Sequence, residues 1–121
     1  MTITASNLGT HVWKLAAEIG ERNVFRFPAL ADAAHYIQQE WTEQGYDVLP
    51  QPYEVQSAPC LNLEITRWGR SRRQQIILVG AHYDSVRGSP GADGHGYKAR
   101  DGRDPWAYLT VHRGDRPSAT Q

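Results

Sequence analysis

Leu8, Val12, Leu15 and Ile19 recur on one helical face and predict a first helix, with Ser6 or Asn7 as its cap and Gly20 as its stop. A second helix is predicted from Pro28, a residue suited to the first helical position. Leu30, Ala33, Ala34, Ile37 and Trp41 form its apolar stripe, while Asp32, Gln38, Gln39 and Glu43 face water and Gly45 ends it. The pattern then changes to strands. Residues 47–55 carry Pro50 and Pro52, which cannot donate ladder hydrogen bonds, so this segment reads as an edge strand. Leu61, Leu63 and Ile65 alternate with Asn62, Glu64 and Thr66, which predicts one buried and one wet face. Residues 68–73 are polar and basic and read as a solvated hairpin loop. Ile76-Ile77-Leu78-Val79 is apolar without alternation, the pattern of a central strand covered on both faces. From Gly94 onward the chain is rich in Gly, Arg and Asp. Its longest patterned run there is Trp106 to Val111, so it reads as an irregular tail.

Composition narrows the classes. The chain has 121 residues, of which 40% are hydrophobic, and its mean hydropathy is −0.61. These values fit one small domain. Thirteen Lys and Arg balance 13 Asp and Glu. Such neutrality argues against nucleic acid as a partner. Cys60 is the single cysteine, so neither an intramolecular disulfide nor a cysteine-based zinc cluster can form, and it reads as a small core hydrophobe. The first seven residues contain no basic residue and no apolar run, and no stretch has the length of a membrane span. The expectation is a soluble, cytoplasmic protein with no membrane partner.

The chemistry concentrates in residues 79–93. A buried strand is expected to end at Gly80-Ala81, and ligands of open α/β sheets gather beyond the carboxyl ends of strands. His82 and Asp84 fall there, two residues apart, and in extended chain they point the same way. Neutral imidazole is a good zinc ligand, and a carboxylate that accepts its second N–H fixes the tautomer. Ser85 lies close to His82 but lacks a nucleophile elbow. Gly88-Ser89-Pro90-Gly91 lacks the ending of a phosphate loop. His11 and His35 fall in helical patterns and read as partly exposed surface residues.

Gly80-Ala81-His82-Tyr83-Asp84-Ser85, followed by Gly88-Ser89-Pro90-Gly91-Ala92-Asp93, resembles the M28 family of zinc-dependent aminopeptidases and carboxypeptidases. Glu21-Arg22-Asn23, the helix Ala33-Ala34-His35-Tyr36-Ile37 with Gly45-Tyr46, and the strand Leu61 to Ile65 resemble it too. The resemblance covers roughly residues 6–93. It implies an α/β/α sandwich around a mixed sheet. It implies two zinc ions held by His and carboxylate ligands, one carboxylate bridging them, and a separate Glu as general base on a metal-bound water. It matches His82 to a zinc ligand and Asp84 to the acid that orients it.

The chain departs from that pattern at the position of the bridging Asp, which here is Gly94. Glycine has no side chain to bind metal. Asp93 falls one residue early, and only a local rearrangement would bring Asp93 or His95 to a metal. The Glu-Glu pair, further Asp and distal His of the family have no counterpart, since Asp101, Asp104, His112 and Asp115 occur in unrelated contexts. The expectation is therefore an incomplete α/β domain over residues 1–93 and a tail over residues 94–121. As a peptidase of peptide substrates this chain is expected to be inactive, with zinc binding in doubt. The alternatives are a non-catalytic binding module that pairs through its uncovered sheet with itself or another chain, and a mononuclear zinc site of His82, Asp93 and His95 or His112.

Overall fold

A computed structural model describes residues 4–69, 72–91 and 106–113. The fold is α/β with a mixed sheet. Helix α1 spans Ala5–Val12, and a π-helical stretch, Trp13–Ile19, continues it. Its cap is Thr4 rather than Ser6 or Asn7: the Thr4 Oγ1 accepts the Asn7 N–H at 3.1 Å. Only the second half of the expected apolar stripe packs, because Leu15 and Ile19 join the core while Leu8 and Val12 stay exposed. The π winding has a local cause. The Leu15 carbonyl accepts both the Gly20 N–H and the Arg22 guanidinium, and Gly20 closes the turn at φ 79.

Asn23 caps a short 3₁₀ turn, Val24–Arg26, by accepting the N–H groups of Phe25 and Arg26. Helix α2, Phe27–Glu43, follows with Pro28 in its first turn. Its Leu30, Ala33 and Ala34 are buried, and Ile37 and Trp41 pack beside them, as the stripe predicts.

Four strands form one sheet in the order β1-β2-β4-β3. Strands β1, Leu49–Val55, and β2, Ala58–Trp68, form an antiparallel hairpin. Gln56 and Ser57 turn it with φ of 49 and 67, the sign pattern of a tight hairpin turn. With its two prolines, β1 takes the sheet edge as expected. Leu63 is fully buried and Ile65 nearly so, while Glu64 on the alternate face bonds Gln51. The core joins α2 to the sheet through Leu30, Ala33, Ala34, Cys60, Leu63 and Tyr83. Cys60 is the small core residue its context predicts.

Strand β3 spans Arg72–His82 and β4 spans Trp106–Arg113. Two expectations change here. Strand β4 lies between β2 and β3, parallel to the first and antiparallel to the second, so residues 68–73 do not close a hairpin of adjacent strands. Strand β3 is consequently the other edge of the sheet, not a central strand, and Ile76, Ile77, Leu78 and Val79 are 42–64% exposed. The apolar run fits a strand with cover on both faces, and among the described residues nothing supplies that cover. Within residues 94–121 the one patterned run is β4; the rest of that segment lies outside the described residues. Among the described residues, no helix is long and apolar enough to cross a membrane.

Candidate functional site

The site forms where β3 ends. His82 is its last residue, and Tyr83, Asp84 and Ser85 continue into the loop that leads to Gly91. His82 Nδ1 and Asp84 Oδ1 face each other at 3.6 Å, with both side chains largely buried. That spacing exceeds a hydrogen bond and suits an ion pair when the imidazole is protonated. It also leaves the other ring nitrogen of His82 turned away from the carboxylate.

A second segment braces this strand end. Arg22 is 4% exposed, which a charge tolerates only with partners for its donors. Its Nε donates to the Tyr83 carbonyl at 2.6 Å. Its Nη1 donates to the carbonyls of Leu15, Gly20 and Pro90 at 3.1, 3.2 and 2.7 Å. Arg22 and Ser85, 63 residues apart, bond reciprocally: the Arg22 backbone N–H donates to the Ser85 hydroxyl Oγ at 3.0 Å, and the Ser85 N–H donates to the Arg22 carbonyl at 2.7 Å. Asn23 adds a bond from its amide to the Ser85 carbonyl. Burial lowers the Arg22 pKa from its ordinary value, and the charge of Asp84 opposes that shift.

Tyr83 points into the core, where its hydroxyl donates to the Leu61 carbonyl. Burial foremost, then the neighbouring Cys60 and Asp84, raise its pKa above the ordinary value. Ser85 is 2% exposed and its hydroxyl serves Arg22, so it is a structural residue and not a nucleophile. The Gly88 N–H donates to the Glu21 carboxylate at 2.8 Å, so the glycine-rich loop already has an internal anion. That bond, then Asn23 and Arg26, lowers the Glu21 pKa. Gly91 has φ +66, and a Cβ on it would lie 2.9 Å from the Cβ of Ser85. Only glycine fits this approach.

His82 and Asp84 are thus brought together as their spacing suggests. Asp93, Gly94 and His95 lie outside the described residues, and of His112 only the strand backbone is described. His35 is exposed and His11 partly so; the His11 Nδ1 lies 2.6 Å from the hydroxyl of Tyr36, midway along α2, and so ties α1 to α2. Among the described residues, no group of three or more His, Cys, Asp or Glu side chains is arranged to hold a metal. Zinc takes three or four protein ligands.

The bracing by Arg22, Ser85 and Gly91 was not legible as chemistry. Its one signal was the Glu21-Arg22-Asn23 segment, a charged run in an otherwise amphipathic stretch. Comparison with protein-family models, curated proteins and solved structures finds no match to this chain.

Proposed function

We propose that this chain carries the scaffold portion of an M28-type zinc exopeptidase domain and does not itself hydrolyse peptide bonds. The observation that supports this reading is the joining of two distant segments that both carry the resemblance. Glu21-Arg22-Asn23 and Tyr83-Asp84-Ser85 interlock by buried hydrogen bonds and present His82 beside Asp84 at a strand's carboxyl end. In this reading Asp84 orients the imidazole of His82, whose other ring nitrogen is the metal-binding atom. Within residues 65–121, Gly94 stands where this reading places the bridging carboxylate, and no Glu is present to act as general base.

Two measurements test it. The purified chain, supplied with zinc, is expected to release no product from aminoacyl p-nitroanilides. Turnover that both a chelator and His82→Ala abolish overturns the inactivity. The coding DNA beyond codon 93, read in three frames, is expected to encode Asp-Asn-x-Ser-Gly and then Glu-Glu in another frame. The lack of such a frame counts against the family reading.

A second reading is a non-catalytic module that pairs with itself, favoured by the exposed apolar run on edge strand β3. Light scattering after size exclusion decides it: a strictly monomeric chain across concentrations removes this reading.

A further inference from the structure

We propose that Arg22 is the positioning residue of the His82–Asp84 pair, acting through the backbone that joins them. The inference rests on the reading of His82 and Asp84 as the site, and it adds the residue that holds them in register.

The argument starts from what Arg22 touches. Tyr83 is the residue between His82 and Asp84, and its carbonyl takes the shortest side-chain bond that Arg22 makes, at 2.6 Å. That bond fixes the peptide that links the two site residues. The Arg22 carbonyl and N–H hold Ser85 on the other side of Asp84. Nη1 then ties this loop to the Pro90 carbonyl and to the end of the π-helical stretch through Leu15 and Gly20. One planar, multi-donor guanidinium therefore joins three chain segments, which a lysine's single ammonium cannot reproduce. No bond from Arg22 to the imidazole is involved. Its effect on His82 is through the orientation of residues 83–85.

The test reads the His82 ring in metal-free protein at one alkaline pH, by two-bond ¹H–¹⁵N correlation. That experiment reports which ring nitrogen carries the proton. Wild type is expected to favour the proton on Nδ1, facing Asp84. Arg22→Met is expected to lower the Nδ1–H to Nε2–H ratio about fivefold, as the Asp84 carboxylate leaves its place 3.6 Å from Nδ1 and its electrostatic hold on a proton there weakens. Arg22→Lys is expected to show the same loss, because charge without the fork does not hold the Tyr83 carbonyl. Ile65→Ala, at a buried position outside the core cluster that holds Tyr83, is expected to leave the ratio unchanged. Should Arg22→Met fail to fold, Gly91→Ala carries the test: its Cβ meets Ser85 at 2.9 Å and displaces the Pro90 carbonyl from Nη1, with a smaller drop of the same sign. A folded Arg22 variant with the wild-type ratio, a wild-type ratio in Arg22→Lys, or an equal drop in Ile65→Ala overturns the proposal. Because no metal is present, a peptidase reading that fails in the zinc and turnover assays leaves this result readable.

Discussion

The middle of β3 and the segment just past its carboxyl end live in different surroundings. Along Ile76 to Val79, four aliphatic side chains are 42–64% exposed. Just past its carboxyl end, Tyr83 and Ser85 are 3% and 2% exposed, although one carries a phenol and the other a hydroxyl. The more polar segment is the buried one. Burial follows from what arrives to cover a segment, and the polar one is covered because each of its groups has a partner. Arg22, Asn23 and Leu61 supply those partners to Tyr83 and Ser85. The aliphatic run lies on a sheet edge, out of the core that α2 builds with β2.

Four perturbations sharpen that contrast. The largest loss is expected at the packed layer: Leu63→Ala, at a fully buried position, is expected to cost about 3 kcal/mol in urea unfolding. A loss under about 1 kcal/mol would mean that the helix–sheet core is not the source of stability. Next, Gly91→Ala is expected to cost about 2 kcal/mol, from a positive φ and the clash with Ser85. An unchanged denaturation midpoint would show that the loop does not close on the cluster. Leu78→Ala, at 64% exposure, is expected to change stability by no more than about 0.5 kcal/mol. A loss approaching that of Leu63→Ala, with a melting temperature that rises with protein concentration, would show that β3 is covered by a second copy.

The smallest effect concerns pH. The Glu21 carboxylate is held below its ordinary pKa by the Gly88 N–H, Asn23 and Arg26. Its stabilising share is present above the ordinary glutamate range and is lost as pH falls through the lowered value. Glu21→Gln is expected to flatten the acid limb of the stability profile slightly. Identical profiles for the two proteins would place Glu21 outside the cluster's energetics.

Much of the fold could be read from local pattern. The α2 stripe, the edge position of β1 and the alternation of β2 all followed from periodicity and proline chemistry, and each is found. The failures are tertiary. The Ile76–Val79 run carries no sign of which strands will flank it, and insertion of β4 beside β2 pushes β3 to the edge. Leu8 and Val12 belong to the same periodic stripe as Leu15 and Ile19, yet the core ends before reaching them. In the site, the His82–Asp84 pairing was visible because two residues in extended chain share a side. The Arg22 clamp was not visible, because no local rule links positions 63 residues apart.

By itself the sequence determined most of the local elements and the facing of His82 and Asp84. These depend on side-chain type and near-neighbour geometry. Only the tertiary structure decided which apolar residues lose contact with water and which buried charge braces the strand end. Both depend on chain segments that meet late and far apart, as Arg22 meets Tyr83 and Ser85.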